Sequence, residues 1–451
     1  MAYVNTQPEV VTYSGNGSDL QAAIDAAITA GKSLYIAAGT YDVTNVGIGG
    51  PIRIFGTPGK VIIRPTAGSA YAFYFGAFGE ATMEGLIFDG AGRSLVVDGG
   101  LPYQAMVAAK RAQAPNSRLR VRDCTFRNSP HAGIQLFAIA AEIEGCSFEA
   151  LGGGIACRDN YGVRITGNDF TSIVGNAVYL DRTTLGQDGT MIAKNRITTV
   201  TQGDPSSTGW EGNGILANSA TNVQIADNWL NGCAYSSIRA NYCSGVQIVG
   251  NTCLAGGETA IYVEAAGIDQ LTAGHGAVVV GNLVDDTATG ISVCNYDHNG
   301  RLAVIGDNLV RNAVVKTVNV GAPNQSTTGG CGIIVEADCN VSGNVVENAA
   351  RFGVVLGTND YTDDLLCNDN LIRNAPIGIG FANATATGGR DTQIFIASNM
   401  VAHFTDDVSH GAIVPIGYNS SGYYRGTGAD LGQVDTSTTY PNVRVDRNRC
   451  F

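Results

Sequence analysis

Apolar and polar residues alternate with period two along most of the chain, in short runs that Gly, Asn or Asp breaks every few residues. Period two marks strands with one buried face, and such frequent interruption excludes a helical solenoid. Two motifs recur in a fixed order. The first is an apolar segment ending at asparagine: ITGND at Asn168, IAKNR at Asn195, IADNW at Asn228, IVGNT at Asn251, VVGNL at Asn282, VIGDN at Asn308, VSGNV at Asn344, LCNDN at Asn370 and IASNM at Asn399. Upstream, Cys146, Cys124 and Leu86 take the same place. The second motif sets a small residue before Ile or Val: GIQLF at 133, GIACR at 154, AVYLD at 177, GILAN at 214, SIRAN at 237, AIYVE at 260, GISVC at 290, GIIVE at 332, GVVLG at 353 and GIGFA at 378.

Successive motif asparagines lie 23 to 36 residues apart, a repeat with insertions of variable length. Strands this short are unstable alone, but stacked coils cover one another's apolar face and form a continuous core. The expected fold is all-β: a single-stranded right-handed parallel β-helix, with the hand usual for that fold and about 4.8 Å between coils. The repeated asparagines suit a ladder of stacked amides at a turn, where Asn and Gly tolerate left-handed backbone.

SDLQAAIDAAITAG predicts a capping helix over residues 18–30. Ser18 and Gln21 have capping-box spacing, Leu20, Ala23, Ile24, Ala27 and Ile28 share a face, and Gly31 ends it. Such a helix covers the open end of the stack. One domain over 1–451 is expected, with coils over 34–414 and an irregular closing segment over 415–451. Inserts at 201–210, 265–276, 316–330 and 383–391 are the candidates for groove walls.

Composition narrows the function classes. Sixty glycines beside twelve prolines, without a three-residue period, exclude collagen, and 44% hydrophobic residues exclude a largely disordered chain. A formal net charge of −12 and the lack of a basic run argue against a nucleic-acid partner. No apolar run is long enough to cross a bilayer, so no membrane partner is expected. MAYVNTQPEV lacks the basic and apolar regions of an export signal, which implies a cytoplasmic protein or a sequence starting after a removed leader. The eleven cysteines are odd in number and fall in strand-like runs such as GCSF, so buried thiols are expected rather than bridges. With no Cys-x-x-Cys pair and no ligand spacing among five histidines, neither metal nor cofactor is expected.

Aligning the second motif on its Ile or Val sets outward side chains in two columns. One holds Gln135, Ala156, Tyr179, Leu216, Arg239, Tyr262, Ser292, Ile334 and Val355; the other holds Phe137, Arg158, Asp181, Asn218, Asn241, Glu264, Cys294, Glu336 and Gly357. Arg239 should then stand beside Tyr262 and Asn241 beside Glu264, with Glu336 two coils on, about 9.6 Å away in ideal register. Nearby loops bring Trp210, Glu211, Asn295, Asp297 and His298. Flat aromatic faces among many hydrogen-bonding groups point to a poly- or oligosaccharide. Two carboxylates at that separation suit hydrolysis with inversion, Glu264 as acid and Glu336 or Asp297 as base. Arg239 and Tyr262 also suit β-elimination at a uronate, Tyr262 as base with its pKa lowered by the cation. Trp210, Glu211, Asn241, Asn295, His298, Tyr179, Asp181 and Arg158 would line the binding surface. The plain alternatives are an Arg-paired surface carboxylate at Glu264, packing of Tyr262 on Arg239, a noncatalytic glycan-binding module, and contacts within a homo-oligomer such as a trimer.

The cap with its first strands, SDLQAAIDAAITAGKSLYIAAGTYDV, and the Gly-Asn ladder resemble the pectin-lyase-like β-helix superfamily. GLIFDGAG, GWEGNGI, CAYSSIRAN, AIYVEAAG, TGISVCNYDHNGRLAVI and GIIVEAD resemble, more closely, bacterial repeat proteins exported by the twin-arginine route. The superfamily resemblance implies polysaccharide lyases, glycoside hydrolases, epimerases, fructan-transferring enzymes or phage tail spikes, and the narrower one a periplasmic or secreted location. The aspartate clusters of calcium-dependent lyases and of pectin hydrolases have no counterpart here, which puts those two activities in doubt.

Overall fold

The computed structural model describes residues 9–110, 117–203, 211–264, 276–294, 302–319, 325–357, 362, 364–382, 393–404, 411–419, 422–425, 430–431, 440 and 442–451. They form two compact units, 1–200 and 201–451, and both are stacks of parallel strands. The fold is the expected right-handed parallel β-helix with an N-terminal cap.

In the first unit, helix Leu20–Thr29 buries Leu20, Ile24 and Ala27. The expected capping box does not form. Asp19 is the N-cap and its carboxylate accepts the Tyr13 hydroxyl at 2.5 Å, while Gln21 exchanges two hydrogen bonds with the backbone of Gly47. That tertiary pair satisfies a strand N–H and C=O together, which outcompetes a local cap. Beyond the helix, parallel register aligns Leu34, Ile54, Met83, Val121, Ile143, Ile165 and Ile192 in one inward file. A second file stacks Phe88, Phe126, Phe148 and Phe170 with ring centroids 5.1, 5.0 and 4.6 Å apart, close to the interstrand spacing.

The second unit repeats this plan. Ile225, Ile248, Val279, Ile305, Val341, Cys367, Ile396 and Val445 form one inward file. Another runs Ile215, Ile238, Ile261, Ile291, Ile333, Val354, Ile379 and Ile413. The insert at 316–330 contains an antiparallel hairpin, Val315–Asn319 with Gln325–Gly329. Among the described residues of the closing segment, Val443–Asp446 and Arg449–Cys450 extend two parallel sheets. VRVDRN carries the alternation and the asparagine of a rung, which explains why it docks as one.

The asparagine ladder is present in both units. Each side-chain Nδ2 donates to a backbone carbonyl of the preceding rung and to the next asparagine's Oδ1, as Asn251 does to Ile225 O and Asn282. In the first unit Cys146 stands in for an asparagine, its N–H donating to Asn168 Oδ1 at 2.9 Å. Left-handed backbone falls on the residue before each asparagine, with φ 68° at Gly250 and 53° at Asp307. The asparagine itself is thus free to face inward, and the preceding residue, most often Gly or Asp, absorbs the turn. All eleven cysteines are unbridged, and all but Cys294 and Cys450 are buried.

Candidate functional site

The site grows from three neighbouring rungs of the second unit, Ile238–Asn241, Thr259–Glu264 and Thr289–Cys294. Their register pairs Arg239 with Tyr262 and Asn241 with Glu264, then Tyr262 with Ser292 and Glu264 with Cys294. Glu336 follows in the same file, next to the Val293–Val335 pair, and its N–H donates to Val293 O. This is the order that the period-two alignment predicted.

Arg239 is the hub, and only 7% of it is exposed. Its Nε donates to Asn241 Oδ1 at 2.8 Å and its Nη2 to Glu264 Oε2 at 2.7 Å. The guanidinium carbon lies 4.7 Å from the Tyr262 ring centroid and 5.4 Å from that of Tyr235. Burial works against its charge, but Glu264, Tyr235 and Glu258 together more than offset this and raise its pKa. Ion pairing, two aromatic faces and an amide therefore hold one side chain in one rotamer.

Two members of this cluster were not among the sequence candidates. Tyr235 is buried, and burial, then the Glu258 carboxyl, push its hydroxyl above the ordinary tyrosine range. Glu258 is partly buried, with Oε2 lacking a hydrogen-bond partner among the described residues. Burial and Glu264 raise its pKa against the opposing pull of Arg239. A signal for both existed: each lies three residues before the rung's anchoring isoleucine, one coil apart. On the far side Cys294 Sγ lies 3.5 Å from Ser292 Oγ, and burial, then Glu336, push its thiol up.

Glu258 gives a pH-linked prediction. Its folded pKa is above the unfolded value, so between the two the native state holds more protons, and stability from this group falls as pH rises. The stability of the wild type relative to Glu258→Gln should therefore decline as pH rises above the ordinary glutamate value of about 4.3, by at most about 1.4 kcal/mol per pH unit. Urea midpoints of both proteins across that range check it; a rising difference contradicts the assignment.

Arg158, Tyr179 and Asp181 gather in the first unit. Arg158 Nε lies 3.7 Å from Asp181 Oδ2, which accepts the Tyr103 hydroxyl at 3.0 Å. Tyr103 also packs edge-on to Tyr179 at 5.8 Å and donates its backbone N–H to Gln135 Oε1. Burial first, then Asp181, push Tyr179 up to about 12. Tyr103 comes from a loop and was not anticipated. Glu211 accepts the Gly203 N–H at 2.9 Å. Trp210, Asn295, Asp297 and His298 lie outside the described residues.

Residues 116–325 match the family described as NosD, a periplasmic copper-binding protein. No curated protein matches. Among solved structures, the N-terminal fragment of bacteriophage Phi29 gene product 12 aligns with a TM-score of 0.52 at 12% identity, over 92% of this chain and 72% of its own. The mannuronan C-5 epimerase AlgE4 A-module of Azotobacter vinelandii aligns at 0.41 and 14% identity, over 81% and 95%. A DFA-IIIase mutant of Arthrobacter chlorophenolicus A6 aligns at 0.44 and 14%, over 76% and 96%. Coils, ladder and outward columns define a right-handed parallel β-helix protein. The likeness to the Phi29 fragment, at 12% identity, is one of fold.

Proposed function

We propose that this protein is a carbohydrate-active enzyme that hydrolyses glycosidic bonds in a poly- or oligosaccharide on the wall bearing Arg239, Glu258, Tyr262, Glu264 and Glu336. The observation that carries this reading is one guanidinium gathering two carboxyls of unlike character. Glu264 is ion-paired to Arg239 at 2.7 Å, whereas burial pushes the Glu258 pKa up. Environments that separate two carboxyls in this way divide the roles of acid and base. Glu258 is the proton donor to the leaving oxygen, and Glu264, held by Arg239, is the carboxylate opposite it. Glu336 is the further carboxylate along the file. The acid role thus passes from Glu264 to Glu258, because a carboxylate locked onto a guanidinium is a poor proton donor. Tyr262 offers the ring face for a sugar.

The matched family's description supports a periplasmic or secreted location, and among the described residues no helix is long and apolar enough to cross a membrane. Copper, named in that description, has no part in the proposed chemistry; among the described residues no group of three or more His, Cys, Asp or Glu is placed to hold a metal ion.

A reducing-end assay over neutral and uronate-containing glycans, read together with ultraviolet absorbance for unsaturated products, tests the reaction. Hydrolysis without an ultraviolet product is expected, and Glu258→Gln should lower kcat by about 10²–10⁴-fold with little change in KM. Unsaturated uronate products would replace hydrolysis by elimination, and no cleavage of any glycan would remove the enzymatic reading.

A further inference from the structure

We infer that Tyr242 is a stacking platform for one sugar ring of the bound saccharide, a positioning role that rests on the saccharide reading above. Tyr242 directly follows Asn241, which accepts a hydrogen bond from Arg239 and faces Glu264 in the next rung. Its backbone is left-handed, with φ 52°, and among the described residues it is the only Tyr, Phe or Trp in that conformation. A bulky L-residue there brings its Cβ close to the following carbonyl oxygen, so the conformation favours Gly, Asn and Asp.

The fold requires the left-handed turn at this point but not the ring. In the first unit Ala138 and Asp159 follow Phe137 and Arg158, which align with Asn241 in the repeat, and their φ values are 55° and 52°. In the second unit Ser219 follows Asn218, the register partner of Asn241, and has 55°. The hydrogen bond at the turn comes from the backbone: Ala138 N–H donates to Arg158 O, Asp159 N–H to Asp181 O, and Tyr242 N–H to Glu264 O at 3.1 Å. Alanine, aspartate and serine thus hold the same turn, and coil closure does not account for a strained tyrosine. Packing does not account for it either. Tyr242 is 39% exposed, and among the described residues no side-chain hydrogen bond or ring contact holds it. The rings of Tyr235 and Tyr262, by contrast, lie against the Arg239 guanidinium. Strained backbone of this kind collects at functional sites. An exposed aromatic face one residue from the Asn241–Glu264 pair lets a pyranose stack its C–H face on the ring while its hydroxyls reach the polar groups, and tyrosine gives that area at low entropic cost.

Tyr242→Asn and Tyr242→Phe test this. Urea midpoints report on the fold, and titration calorimetry measures affinity for the tightest ligand in a panel of neutral and uronate oligosaccharides. Asparagine suits the left-handed turn, so Tyr242→Asn should keep or raise the midpoint while weakening affinity by about 3–10-fold. In turnover it should raise KM more than it lowers kcat. Tyr242→Phe keeps the ring and should bind within about twofold of the wild type. Unchanged affinity in Tyr242→Asn would overturn the platform and leave the saccharide reading standing. A lowered midpoint would make the ring a structural support and overturn the platform likewise. If the wild type binds no glycan in the panel, the saccharide reading fails and the platform with it.

Discussion

Asn282→Ala is expected to lower the unfolding free energy by about 3–5 kcal/mol, the sum of several buried groups each losing about 1–3 kcal/mol of satisfaction. The native amide donates to Ile248 O, Val280 O and Asn308 Oδ1, and its Oδ1 accepts both the N–H and the Nδ2 of Asn251. Truncation leaves the Asn251 N–H without its acceptor, takes a donor from the Ile248 and Val280 carbonyls and opens a gap in the file. Because coils touch chiefly their neighbours, the loss stays local in structure but is felt by the cooperative unfolding of the stack. Asn448 receives both hydrogen bonds from Asn399, is partly buried, and donates to Ile396 O. Asn448→Ala should therefore cost less, about 1–2 kcal/mol. Urea denaturation followed by circular dichroism compares the two, and equal losses would contradict a ladder whose interior rungs carry more of the stability.

The second large effect is at Arg239. Arg239→Met should lose about 3–5 kcal/mol, because a buried ion pair deprived of one partner leaves the other charge uncompensated. The side chains of Arg239 and Glu264 are only 9% and 19% exposed, so water screens neither well. The double variant Arg239→Met with Glu264→Gln should recover more than half of that loss, since the stranded charge is gone. Denaturation of all four members of the cycle measures the coupling. If the double variant is as unstable as Arg239→Met, the loss comes from the aromatic packing of Tyr235 and Tyr262 instead. For the proposed reaction, both variants should lack hydrolysis, because each disturbs the carboxyl pair.

The candidate site was legible in the sequence as far as strand register reached. The Arg239–Tyr262 and Asn241–Glu264 neighbours follow from the spacing of SIRAN and AIYVE, and Glu336 from GIIVE, because side chains on a strand alternate strictly. Tyr235 and Glu258 escaped because they precede the strand, where side-chain direction depends on turn geometry. Tyr103 escaped for a similar reason: it meets Asp181 across 78 residues of chain, a contact that no repeat period encodes. The capping box failed through competition, with Gln21 finding a better tertiary pair at Gly47.

By itself, the sequence determined the parallel β-helix, the asparagine ladder, the inward files and the column that brings Arg239 to Tyr262. These are periodic properties, and in a solenoid each repeat needs only its neighbours to form them. The tertiary structure alone decided that Arg239 is enclosed as a clamp, that Glu258 joins it, and that Glu258 and Glu264 differ in character. Those outcomes depend on burial and on the summed field of several side chains, quantities that exist only once the coils have closed around them.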